Sequence, residues 1–237
     1  MGYRYQYMRN MLQVNQGIQE HKTPVFSELG QLSGISNTDW SWAALFADLD
    51  NDGWKDLLVT NGNLRDFTNL DFVKYMGDHL KRIDGKVKRE DVLELVYKMP
   101  SSNMKNYLFH NQQDLTFTNV ADTWGLSQIA NSGGAAYADL DNDGDLDLVI
   151  NNINLPAFVY QNKTNELPTQ HNYLKVQLKG EGKNTAGIGT VVHLYQRENH
   201  QMLEQMPSRG YQSSVSPILH FGLGQLANIA QALGPRD

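Results

Sequence analysis

Tyr137-Ala138-Asp139-Leu140-Asp141-Asn142-Asp143-Gly144-Asp145-Leu146-Asp147-Leu148-Val149-Ile150 repeats an earlier stretch, Phe46-Ala47-Asp48-Leu49-Asp50-Asn51-Asp52-Gly53-Trp54-Lys55-Asp56-Leu57-Leu58-Val59. The copies stand 91 residues apart (139 − 48). Their flanks repeat as well. Ala43-Ala44 precedes the first copy and Ala135-Ala136 the second, while Asn61-Gly62-Asn63 and Asn151-Asn152-Ile153-Asn154 follow them. Upstream, Val25-Phe26-Ser27 with Gly34-Ile35 parallels Thr116-Phe117-Thr118 with Gly125-Leu126. An internal duplication of this kind marks a supersecondary unit used twice.

Each unit reads as β structure. Short apolar runs (Ala43–Ala47, Leu57–Thr60, Ala135–Ala138, Leu146–Ile150) are punctuated by Asp, Asn and Gly, and Tyr107–Asn111 and Phe158–Asn162 are further strands that end in Asn. About four short strands per unit suits a propeller blade, whose edges are protected by its neighbours. A β-sandwich is the alternative and needs longer strands. The expected fold is mainly β: a partial propeller over residues 1–165, a small helical insertion at about 66–99, and a C-terminal β domain over 166–237.

In the insertion, Thr68-Asn69-Leu70-Asp71 resembles a capping box, with Phe72, Met76, Leu80 and Ile83 on one helical face. Asp84-Gly85 should break that helix, and Lys88–Lys98 predicts a second one that stops before Pro100. In the tail, Tyr173–Leu178 and Val191–Tyr195 alternate as strands, Leu219–Gly224 reads as a strand and turn, and Ala227–Asp237 is expected to add no further strand.

The chemistry lies in the acidic loops. Asp48, Asp50, Asp52 and Asp56 hold positions one, three, five and nine of the first loop, and Asp139, Asp141, Asp143 and Asp147 hold them in the second. Gly53 and Gly144 stand at position six, where the sharp bend favours a residue free to take positive φ. The bend should also aim the backbone carbonyls of Trp54 and Asp145 inward. Four carboxylates, one carbonyl and a water form a hard oxygen cage that suits Ca2+ better than Mg2+. Carboxylates about 5 Å apart repel by about 3 kcal/mol at an effective dielectric near 20, so such a loop calls for a cation. The competing reading is an Asx-rich hairpin with solvated acids. An EF-hand is excluded, because position twelve holds Val59 and Ile150 in place of a bidentate Glu and the flanks are strand-like.

Having these loops, both units resemble the FG-GAP/VCBS repeat of β-propellers, a calcium-loop repeat found also in integrin α chains. The pattern from Asn106 to Leu148 follows that family almost throughout, and the first unit covers about Thr23 to Asn63. The tail resembles the ASPIC/UnbV domain of cartilage acidic protein-like bacterial proteins through Asn172–Gly180, Gly187–Val192, Arg209-Gly210-Tyr211-Gln212-Ser213-Ser214 and His220–Gly224. The resemblance implies two Ca2+ sites, an extracellular, cell-surface or periplasmic setting, a longer parent chain, and a protein or glycan partner.

Composition narrows the classes further. The chain has 237 residues, 20 Lys+Arg against 26 Asp+Glu, a formal charge of −6 and no cysteine. No basic stripe points to nucleic acid, and no thiolate zinc site, disulfide scaffold or cysteine nucleophile is available. No apolar run reaches the roughly 18 residues of a transmembrane helix, and Met1–Tyr5 lacks the features of a secretory signal. Met1–Tyr5 reads as a polar strand or loop. Seven histidines are scattered without a metalloprotease motif, the glycine pairs complete neither a Rossmann nor a P-loop fingerprint, and no nucleophile elbow exists. The expectation is a calcium-binding, non-enzymatic interaction module. A part of a carbohydrate-active propeller enzyme and a structural spacer are the alternatives.

Overall fold

The structure, a computed structural model, describes residues 9–18, 23–83, 86–102, 104–196, 199–226 and 231–233. The Met1–Tyr5 reading and the Asp84-Gly85 helix break lie outside them. Among the described residues the chain is mainly β, with two α-helices. In chain order the elements are β1 (Gln13–Ile18), β2 (Pro24–Glu28), β3 (Ser41–Ala47), β4 (Asp56–Asn61), α1 (Leu70–Arg82) and α2 (Arg89–Lys98). Next come β5 (Met104–Lys105), β6 (Tyr107–Asn111), β7 (Phe117–Asn119), β8 (Ile129–Ala130), β9 (Ser132–Ala138), β10 (Asp147–Asn152) and β11 (Phe158–Tyr160). The tail supplies β12 (Asn172–Val176), β13 (Val191–Gln196), β14 (Asn199–Glu204), β15 (Leu219–Gly224) and β16 (Gln231–Leu233).

The first unit forms a four-stranded antiparallel sheet in the order β3-β4-β6-β7, a complete propeller-type blade. Its second strand, β4, is buried along its whole length because both faces of the sheet are covered. The second unit corrects the expectation of four strands per unit. It has three, in the order β9-β10-β11, since the chain after Tyr160 turns through Pro168 into the tail instead of returning as an outer strand. β1 and β2 pair as a separate two-stranded antiparallel hairpin.

Two apolar layers follow from this stacking. On one side of the first blade, Ile35, Leu57, Val59 and Phe109 pack with Phe117 from the outer strand. On the other side, Leu45, Leu58 and Leu108 meet Leu126, Leu146, Leu148 and Ile150 of the second unit. By the repeat, Leu126, Leu148 and Tyr160 stand where Ile35, Leu57 and Phe109 stand in the first unit, but no counterpart of Phe117 covers them. A cavity of about 540 Å³ opens there, lined by Leu108, Leu126, Leu148 and Tyr160 among others.

The insertion sits at the surface, its base closed by the Asn63–Ser102 bridge. Asn69, rather than Thr68, caps α1, accepting from the Phe72 N–H at 3.0 Å, and Phe72 is the helix's buried residue. Leu80 stays exposed, so the apolar face is narrower than its sequence spacing suggests. The capping carboxylate belongs to α2, where Asp91 accepts the Lys88 N–H at 2.8 Å.

The tail builds two small sheets, β12-β15 and β14-β13-β16, around Val192, Leu194, Leu219, Phe221 and Leu223. β16 corrects the expectation that no strand follows Ala227: it pairs with β13 from His193–Leu233 to Tyr195–Gln231. The segment Arg209–Ser214 leads from the tail back onto the repeats. Gly210 lies against Leu45, a Cβ on Gly134 would come within 2.8 Å of the Tyr211 carbonyl oxygen, and Val215 enters the core between the two units.

Ile150 is 0% exposed at the centre of that core. Truncating a fully buried side chain removes its burial and leaves a void, so Ile150→Ala should cost about 2–5 kcal/mol in urea unfolding. The solvent-facing Val159→Ala should cost under about 0.5 kcal/mol by the same measurement.

Candidate metal centre

Each acidic loop joins two antiparallel strands, β3 to β4 and β9 to β10, and the two fold alike. Asn51 and Gly53 take φ of 61° and 95°, and Asn142 and Gly144 take 62° and 96°. Within the first loop Asp48 accepts from the Gly53 N–H (2.9 Å), Asp50 from Asp52 (3.2 Å) and Asp52 from Trp54 (2.7 Å). The second repeats these bonds from Gly144 to Asp139 (3.1 Å), Asp143 to Asp141 (3.3 Å) and Asp145 to Asp143 (3.0 Å).

The position-nine carboxylates close the loops. Asp56 accepts from the Leu49 N–H at 3.2 Å and the Asn111 N–H at 3.0 Å, and Asp147 accepts from Leu140 and Asn162, both at 2.8 Å. Side chains at or just beyond the end of the third strand then hold outer oxygens. His110 Nε2 lies 3.1 Å from Asp50 Oδ2 and Gln113 donates to Asp52 at 3.0 Å; Gln161 donates to Asp141 at 2.7 Å and Asn165 to Asp143 at 2.8 Å.

After this accounting one oxygen per loop is left over, at the same position. Among the described residues Asp48 Oδ1 and Asp139 Oδ1 are buried without a hydrogen-bond partner, on side chains only 6% exposed. A buried carboxylate oxygen left without a donor costs about 1–3 kcal/mol or more, and a cation is the partner that a crowd of acids favours. The donor set is hard oxygen, as a Ca2+ site requires.

The electrostatics of the first loop agree. Desolvation, followed by repulsion from Asp52 and Asp50, pushes the Asp48 carboxyl well above the ordinary range. Burial and the Asp52 charge raise Asp50, and burial with the Asp50 charge raises Asp56. In the second loop, burial raises Asp145, whereas the Gln161 hydrogen bond holds the exposed Asp141 below its usual value.

The side chains that converge most tightly are Asp50, Asp52 and His110 in one loop and Asp139, Asp141 and Asp147 in the other, each set offering ligand atoms within 4.8 Å of one another. His110 is a site residue that sequence reasoning set aside with the other histidines. Its repeat position, at the end of the third strand beside Asn111, was the available signal. Asp145 turns its carboxylate away from its own loop, accepting from Asn51 Nδ2 at 2.9 Å and the Asn165 N–H at 2.6 Å. The Trp54 side chain is exposed.

Asn51 also donates to the Gly144 carbonyl oxygen at 3.2 Å, and Asn162 Nδ2 to that of Leu49 at 2.6 Å, so the loops are stapled to each other. The tail closes over both. Gly224 N–H donates to the Asn51 carbonyl oxygen at 2.8 Å, and His171 Nδ1 reaches that of Asp50 at 2.7 Å. On Gly222 a Cβ would lie 2.0 Å from Asp48 Oδ2, and on Gly144 it would lie 1.9 Å from the Tyr173 ring. Lys175 Nζ lies 2.6 Å from Asp139 Oδ2.

Residues 89–150 match the family described as FG-GAP-like repeat, and residues 180–232 match the family described as ASPIC and UnbV. The chain carries an FG-GAP-like repeat followed by an ASPIC/UnbV domain. No curated protein matches it. The FG-GAP-like match ends at the strand after the second acidic loop, and the first loop is its internal copy. The two families together indicate a β-propeller-like repeat module. Among the described residues no helix is long and apolar enough to cross a membrane.

Two tests follow from the tail contacts. Gly222→Ala should destabilise the chain by about 1–3 kcal/mol in urea unfolding through overpacking on the first loop. Gly77→Ala, in open space within α1, should stabilise it by about 0.5–1 kcal/mol. The second test uses His220, whose Nε2 lies 2.6 Å from Asn51 Oδ1. Burial lowers its pKa from 6.5 to about 4. The unfolded chain therefore takes up a proton that the folded chain refuses, and this stabilisation, complete above pH 6.5, is lost as pH falls towards about 4. The stability difference between wild type and His220→Gln, measured by urea unfolding, should shrink from pH 7.5 to pH 5.

Proposed function

We propose that this chain is a calcium-binding, non-enzymatic module in which two ions, one per acidic loop, fix adjacent repeat units and the ASPIC/UnbV tail as a platform for a protein or glycan partner outside the cytoplasm. The observation that carries the reading is the pair of partnerless, buried oxygens, Asp48 Oδ1 and Asp139 Oδ1, at one position of both loops. Asp48, Asp50, Asp52 and Asp56 would hold the first ion, with His110 orienting Asp50; Asp139, Asp141, Asp143 and Asp147 would hold the second. The Trp54 and Asp145 backbone carbonyls are the remaining candidate ligands.

Bound calcium supplies charge neutralisation. The chain's own residues do the structural work: Asn51 and Asn162 cross between the loops, and Gly222 and Gly224 bring the tail against the first. The family resemblance supports the setting outside the cytoplasm and the adhesive role. In both loops the carboxylates converge on one another with their partnerless oxygens turned inward, an arrangement suited to holding a cation. That favours the binding reading over a carbohydrate-active enzyme.

Isothermal titration calorimetry with Ca2+ should give two sites, with one lost in Asp48→Asn and the other in Asp139→Asn. Each site adds about 2.7 kcal/mol at a free concentration a hundredfold above its Kd. The melting temperature in calcium should therefore exceed that in EDTA by several degrees, and identical melts would overturn the structural role.

A further inference from the structure

The two loops share a backbone but meet different charges from the tail. We propose that Lys175 is a tethered competitor for the second loop, so that the loops take a divalent cation unequally, the first ahead of the second. The inference rests on the calcium reading and goes beyond it, since the four acidic positions that the loops share do not rank them.

Lys175 is aimed by its strand. β12 pairs with β15 with Tyr173 opposite Gly222 and Lys175 opposite His220. The Tyr173 ring lies against Gly144 and stacks on His220 with centroids 5.5 Å apart, which fixes the strand over the second loop. Two residues on, and so on the same face, the Lys175 ammonium reaches Asp139 Oδ2 at 2.6 Å. That carboxylate also carries the buried oxygen left without a partner. The pair is sheltered, with Asp139 6% and Lys175 29% exposed, so solvent screens it weakly.

The first loop has no such counter-ion. Among the described residues its carboxylates have no lysine or arginine nitrogen within 4 Å, and their one ion-pair partner is the His110 imidazole on Asp50. Against Asp48 the tail presents the backbone of Gly222, and the side chain facing Lys175 across the sheet, His220, binds the Asn51 amide oxygen. A divalent cation approaching Asp139 must displace an ammonium already in contact with that carboxylate, whereas Lys55, the cation that acts on Asp48, does so through space and makes no ion-pair contact with it. Loading the second loop therefore works against the β12 contact, and loading the first does not.

The test isolates each loop. In an Asp48→Asn background, where the second loop is left to bind, calorimetric titration with Ca2+ should show Lys175→Met raising affinity roughly tenfold and Lys175→Arg leaving it low. In an Asp139→Asn background, Lys175→Met should leave the first site unchanged. The rise in melting temperature produced by Ca2+ should also be larger for Lys175→Met than for wild type. Unchanged or weakened binding at the second loop in Lys175→Met would overturn the competition while leaving the calcium reading intact. Absence of calcium binding in wild type would remove that reading and this proposal with it.

Discussion

Asp56 and Asp147 each gather two distant backbone N–H groups onto one carboxylate: one from the start of their own loop, one from the end of the third strand of their sheet. That double bond sets the diameter of each loop and fixes where the third strand stops. Once it is made, each acid at positions one, three and five turns one oxygen to an N–H group two or five residues ahead, and the acids crowd together. Crowding follows from the fold and is not relieved within it. Burial of like charges is tolerated only if something balances it, and the structure offers two balances, an imidazole on Asp50 and an ammonium on Asp139; the calcium proposed above would be the third.

The tail uses the same loops as its docking ground. Tyr173 lies on Gly144, Gly222 faces Asp48, and Gly224 bonds to Asn51, so one loop and two tail positions without a side chain let the tail come close. Any residue larger than glycine at Gly144 or Gly222 would push the sheets apart. The Arg209–Ser214 segment fills a second contact beside Leu45 and Gly134. The tail is thereby anchored at both ends of the repeat pair, at the acidic loops and beside the core between the units.

Much of this was legible in the sequence because repetition doubles every signal. The strands around each loop, the glycine at position six and the two helices of the insertion all fall close to where their patterns place them, since each is decided by residues within about ten positions. What escaped was long-range. His110 meets Asp50 across 60 residues, Lys175 meets Asp139 across 36, and His220 meets Asn51 across 169. No local pattern encodes such meetings. β16 escaped because three residues without alternation count as a strand only when β13 is there to pair with them. The missing outer strand of the second unit escaped for the opposite reason: the first unit's sequence pattern led to an expectation that Pro168 and the turn around it do not fulfil.

That three-stranded sheet leaves β11 with one hydrogen-bonded neighbour, next to the cavity under Tyr160. An outward row of peptide groups beside an apolar slot is what any extended chain recognises first, whether from the same molecule or another, and exposed Val159 does nothing to deter it. An edge of this kind is where a further strand would add to the sheet by main-chain hydrogen bonds.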